Sequence, residues 1–226
     1  MRTDPRFQKW CDWLKTITDD VQTLYLSRGI FTGVIDIVKK NDRIDKRSMF
    51  FGFFINVYVD SVVMGIRRQL KAKQDGSISL AKLLTEIAEN PELITRSDYY
   101  ELFDKPVFLP EVINMMEGFN QFAEPTSDYI DSELVKRDLQ SLKEICAAAE
   151  EYADRRIAHW DRKAPSLDLT LEDIFKALDS LGGMVQRYYV LFFAASLKIE
   201  PVPQYPIFHI FEAPWLPPSS SPESEK

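Results

Sequence analysis

The sequence predicts an all-α protein: an antiparallel helical bundle with an extended, proline-rich C-terminal tail. Three observations carry this. Apolar residues recur at steps of three and four over long stretches, which is the period of an α-helix. Glycine is scarce, 8 in 226 residues. Seven of the 13 prolines crowd between Pro201 and Pro222, where a helix cannot persist.

The elements follow in order. Trp10, Trp13, Leu14, Ile17, Val21, Leu24 and Tyr25 recur at helical spacing and place a first helix over Pro5 to Ser27, with Pro5 tolerated in the first turn. A shorter piece, Phe31 to Lys40, continues it after Gly29. A second long helix is expected over Lys46 to Lys73. Its early part, Met49 to Ile55, is apolar on nearly all sides and is expected to be deeply buried. Asp75-Gly76 signals a turn, and Ser79 to Glu89 reads as a short amphipathic helix with Leu80, Leu83, Leu84 and Ile87 inward. The prolines between Asn90 and Thr126 mark a linker region with short helices, one of them at Glu111 to Phe122. Asp128 or Asp131 caps a long helix to about Ile157, whose seam is Val135, Leu139, Leu142, Cys146, Ala149 and Ala153. Thr170 with Asp173 is a capping pair for the last helix, Leu171 to about Leu197. Gly182-Gly183 inside it allows either a close neighbour or a bend. Residues 1–200 are thus expected as the bundle, 201–216 as an extended apolar tail packed on it, and 217–226 as a disordered end.

Composition narrows the function. The chain is 45% hydrophobic and 28% charged, an ordinary globular balance. Its net charge of -7 supplies no global basic field for nucleic acid, so any RNA contact must be local. Cys11 and Cys146 are too few and too far apart for a disulfide framework or a zinc site, and this usage suits a cytoplasmic protein. The first residues lack the apolar core of a signal peptide. The run Met49 to Ile66 is the best candidate for a membrane span. Asn56 and Asp60 interrupt it, and a carboxylate at a bilayer centre costs roughly 2.5 to 3.5 kcal/mol. It is therefore read as a core helix, and no membrane partner is expected. No phosphate-binding glycine loop, nucleophile elbow, zinc-protease helix or kinase set is present.

Of the two histidines, His209 lies between Phe208 and Ile210 and is assigned to packing or surface. His159 stands in Asp154-Arg155-Arg156-Ile157-Ala158-His159-Trp160-Asp161, at the end of the seam helix. Arg155 and Arg156 precede it by four and three residues, on neighbouring positions of one helical face. An arginine pair beside a histidine is what phosphodiester cleavage asks for, arginine to hold the phosphate and histidine to move a proton near neutral pH. The plainer alternative is a set of ion pairs at a helix C-terminus.

This octapeptide resembles the signature of the HEPN superfamily, within it the branch named after an abortive-infection phage-resistance protein. A second stretch, Tyr58-Val59-Asp60 through Ile66-Arg67 and then Gly76-Ser77-Ile78-Ser79-Leu80-Ala81-Lys82-Leu83-Leu84, is similar to the branch's earlier helix and its follow-on. The resemblance implies a HEPN-like bundle, dimeric, acting in phage defence or a toxin-antitoxin system as a metal-independent endoribonuclease. Arg155 and His159 would be catalytic, His159 as the general acid or base. Arg156, Asp161, Arg67 and Asp60 would bind substrate, Asp60 and Arg67 lying seven apart on one face of the earlier helix. Their alternative is a buried ion pair. The partners implied are a second copy of the chain, RNA, and a cognate antitoxin or nucleotidyltransferase-like protein. No metal and no cofactor is expected. The usual motif separates Arg from His by four to six residues, whereas three separate Arg155 from His159. That departure keeps open a non-catalytic interaction module or a nucleotide- or RNA-binding protein.

Overall fold

The computed structural model describes residues 4–72, 76–102, 117–158, 169–203 and 206–214. Six α-helices span Pro5–Lys40 (α1), Met49–Leu70 (α2), Leu80–Glu89 (α3), Arg96–Glu101 (α4), Ser132–Tyr152 (α5) and Leu171–Phe193 (α6). No strand occurs among the described residues.

Each long helix begins where a short polar side chain replaces a missing backbone partner. Asp4 accepts from the Arg6 amide with Pro5 in the first turn, and α1 then runs through Gly29 without interruption for 36 residues. Ser48 and Ser79 cap α2 and α3. Asp131, not Asp128, caps α5. Thr170 and Asp173 form a reciprocal capping box at α6, each side chain accepting from the other's amide. That helix stops at Phe193, short of the expected Leu197, because Ala194 turns into the left-handed region at φ 48° and returns its amide to the Val190 carbonyl. Thr95 starts α4, a short helix within the proline-marked region that the periodicity did not reveal. Part of the helix expected at Glu111 to Phe122 lies outside the described residues. The rest is a turn of 3₁₀ helix, Glu117–Gln121.

Cross-helix contacts fix the antiparallel arrangement. Along α1 and α2, Arg68 reaches Asp20, Leu24 meets Gly65, and Phe31 stacks on Tyr58 with ring centroids 3.9 Å apart, so rising numbers on one helix face falling numbers on the other. In the same way α1 meets α6 through Phe7 on Phe192 and Tyr25 on Leu178. Helix α6 meets α5 through Arg187 and Tyr188 on Asp138 and through Ala177 on Cys146. Helices α1 and α6 approach closely at Gly182, where an added Cβ would stand 2.3 Å from the Tyr25 hydroxyl. Gly182 therefore serves a close neighbour, whereas nothing lies within 4 Å of a Cβ on Gly183.

All six expected seam residues of α5 face inward, five of them buried and Leu139 packed against the core from a partly buried position. Both cysteines are buried. Burial, with Glu150 nearby, pushes the Cys146 thiol up to about 12.

One expectation is overturned. Met49 to Ile55 is not deeply buried: Met49 is 91% exposed, Phe53 66% and Phe50 56%. The buried residues of α2 begin at Tyr58, and those of α1 end at Phe31. The C-terminal part of α1 and the N-terminal part of α2 thus form an arm that reaches past the core. Helix α2 is long and apolar enough to cross a membrane, and only 28% of its most apolar stretch is buried, so it is not the enclosed core helix that was expected. Its apolar surface exceeds what its neighbours can cover.

Beyond α6, Ile199 is buried, and Gln22 and Gln186 donate to the Lys198 and Leu197 carbonyls. Ile207–Phe211 is a turn of 3₁₀ helix rather than extended chain, and the Phe208 ring lies where a side chain on Gly33 would stand. Tyr205, Trp215 and the expected disordered end, 217–226, lie outside the described residues.

Candidate functional site

The end of α5 does not simply stop. Ala153–Ala158 continues it as a π-helical turn, in which the wider helix sets residues five apart, rather than four, above one another. Such turns are frequent at functional sites because they re-aim side chains without breaking the helix. Ala153 remains in the core, fully buried. Asp154, the next residue, faces α2.

There Arg67 of α2 donates to Asp154 through both Nε and Nη2. Lys71, just past the end of α2, sits 3.5 Å from Glu150. Towards the other side, Tyr152 donates its hydroxyl to Asp60 at 3.4 Å. Asp60 and Arg67 do share one face of α2, as their spacing required, yet they do not pair with each other. Each reaches α5 instead, which joins the two helices beside the π turn. In the Arg67–Asp154 pair both nitrogens meet the same oxygen, Oδ1, and the pair is partly buried, where a charge-assisted contact is stronger than between freely hydrated groups.

Arg155 points outward. Its side chain is 46% exposed and its Nη2 lies 2.8 Å from Glu151, one turn back on the same helix. The π turn therefore divides its residues, Asp154 holding the bundle and Arg155 facing away from it. The backbone of Arg156 belongs to the π turn, but its side chain, together with His159 and Asp161, lies outside the described residues. Of the six expected site residues, Asp60 and Arg67 are brought to the π turn from α2 and Arg155 stands on it.

Sequence reasoning missed Asp154 as the partner of Arg67, 87 positions away. The available signal was its place next to seam residue Ala153, on the flank turned towards α2. It also missed a cleft of about 440 Å³ beside α1. In it Arg28 contacts Asp179 at 2.6 Å and Glu200 at 3.3 Å and lies over the Tyr25 ring. Burial, with Asp179 beside it, pushes the Tyr25 hydroxyl up to about 12. Two carboxylates against one guanidinium leave that cleft without spare positive charge for a phosphate. Among the described residues no group of three or more His, Cys, Asp or Glu is placed to hold a metal ion.

The family model HEPN_AbiU2, described as AbiU2, matches residues 8–204. The chain belongs to the AbiU2 branch of the HEPN family. The match takes in the whole of α2 to α6 and nearly all of α1, and ends just before the 3₁₀ turn at Ile207. It makes the protein a HEPN member of the abortive-infection type, and the matched range includes the π turn and α2. No curated protein and no solved structure matches the chain.

Proposed function

We propose that this HEPN protein is a cytoplasmic, metal-independent endoribonuclease of a defence or toxin-antitoxin system, acting as a homodimer. Arg155 orients the scissile phosphate and His159 is the general acid or base. The observation that carries this reading is the division of labour at the π turn: Asp154 is held on Arg67, while Arg155, four residues before His159, is presented away from the bundle. In the reaction the ribose 2′-hydroxyl attacks the adjacent phosphorus, its proton passes to a base, and the 5′-oxygen leaves with a proton from an acid. The products are a 2′,3′-cyclic phosphate and a 5′-hydroxyl. Each role needs a group that titrates near neutral pH, which suits histidine, and a cation that stabilises charge on the phosphate, which suits arginine. A second copy supplies its own arginine and histidine, so a two-fold contact between α5 ends offers an acid and a base at one phosphate. Arg156 and Asp161, with Asp60 and Arg67 from α2, line the approach of the RNA.

The test is cleavage of total and structured RNA by the purified protein in EDTA, beside Arg155→Ala and His159→Ala. Cleavage that leaves cyclic phosphate ends and is lost in both variants supports the assignment. Cleavage that survives His159→Ala overturns it. The three-residue spacing between Arg155 and His159 favours a second reading, a binding module that docks RNA or a cognate antitoxin or nucleotidyltransferase-like protein. Under that reading a stable dimer binds its partner without cutting RNA.

A further inference from the structure

The arm formed by α1 and α2 combines two features that the nuclease reading does not use. From Lys39 to Arg47 the chain carries Lys39, Lys40, Arg43, Lys46 and Arg47 against only Asp42 and Asp45, a local charge of +3 in a chain of net -7. All five cations are exposed. Immediately beyond them Met49, Phe53 and Val57 recur every fourth residue, forming one stripe on α2, and they are 91%, 66% and 50% exposed. Beside this stripe lies a cleft of about 370 Å³ whose walls, among them Val34, Ile37, Val38, Ile44, Phe50 and Phe54, are all apolar.

We propose that the tip of this arm is a docking surface for an anionic lipid bilayer. Clustered lysine and arginine draw a protein to anionic headgroups, and exposed apolar side chains next to them enter the boundary between headgroups and acyl chains. The two features are adjacent here, at one end of the molecule. Other occupants fit less well. A two-fold contact between the tips of two copies would set five cations against five. Single-stranded RNA would use the cations and a phenylalanine face, but a cleft with wholly apolar walls and the Met49 and Val57 side chains give the polar base edges nothing to bond. Arg67 lies eighteen residues beyond Met49 on the same helix, about 27 Å away at 1.5 Å per residue. A tip resting on the bilayer therefore leaves the α5 end turned towards solution.

The experiment is co-sedimentation of the full chain with vesicles of phosphatidylcholine plus phosphatidylglycerol, against phosphatidylcholine alone. The comparison variants are Phe53→Ser and the triple reversal Lys39→Glu, Lys40→Glu, Arg43→Glu, each checked for an unchanged urea midpoint. We expect binding to the anionic vesicles only. Because one basic side chain near such a surface is worth about fivefold, the triple reversal should weaken binding about a hundredfold or more. Phe53→Ser should weaken it about tenfold. Absence of binding to anionic vesicles, equal binding to neutral ones, or binding indifferent to the reversal overturns the proposal. So does a shift from dimer to monomer in Phe53→Ser, which would show that a second copy covers the stripe. Capture of oligouridine through the same cations, without vesicle binding, overturns it in favour of RNA.

Discussion

The two halves of α2 both carry many apolar residues and behave in opposite ways. From Tyr58 to Leu70 the helix buries seven residues, and Arg67 ties it to α5. From Met49 to Val57 it is more apolar still and buries none. The difference lies in the neighbours. The distal half of α2 faces α1, α5 and α6, whereas the arm has the last turns of α1 and the 3₁₀ turn of the tail beside it. Hydrophobicity alone does not place a residue in a core, because a core also needs atoms on the other side of the contact.

The comparison breaks most sharply under truncation. Ile66→Ala, at a fully buried position, is expected to cost about 2 to 5 kcal/mol in urea unfolding. Phe53→Ala should stay within about 0.5 kcal/mol. Equal losses would mean that the arm is covered in the folded protein. The glycines of the same helix should respond with opposite signs. A Cβ on Gly65 would stand 2.4 Å from the Leu24 Cδ2 atom, so Gly65→Ala should destabilise by about 1 to 3 kcal/mol. Nothing lies within 4 Å of a Cβ on Gly52, and Gly52→Ala should stabilise the helix by about 0.5 to 1 kcal/mol. Thermal melts of the pair give both signs in one measurement.

A smaller loss, about 1 kcal/mol, is expected for Arg67→Ala, since Asp154 keeps access to water. Its more telling readout is Arg155. If the Arg67–Asp154 pair holds the π turn, RNA cleavage should fall by more than the loss of stability accounts for, and Arg67→Lys should restore only part of it because a lysine cannot donate twice in a fork.

The smallest effect is a slope with pH. Burial raises the Glu86 carboxyl, but hydrogen bonds from Lys9 and Trp10 outweigh it and hold the folded value below the ordinary 4.5. Its contribution is therefore fully present above that value and is lost as pH falls through the lowered one. Urea midpoints taken from pH 6 downwards should decline less steeply in Glu86→Gln than in the parent chain.

The starts of α5 and α6 were legible because a cap is a local event: Asp131 and Thr170 each bond within three residues of themselves. The α5 seam was legible for a similar reason, since its period alone sorts inward from outward positions. The octapeptide around His159 pointed to the family on residue identity. The partner of Arg67 was not legible, because the choice between Asp60 on its own helix and Asp154 on another depends on where two helices cross. Nor was the π turn, which has no strong residue signature.

By itself, then, the sequence determined the long helices, the caps of α5 and α6, the α5 seam and the family, all properties of neighbouring residues or of a periodic pattern. Tertiary structure alone decided that Gly182 of α6 admits Tyr25, that Arg67 holds Asp154, and that the most apolar stretch of the chain stands in the open. Those outcomes depend on which surfaces the packed helices leave for one another. No local pattern encodes that, because burial belongs to a pair of surfaces rather than to one segment.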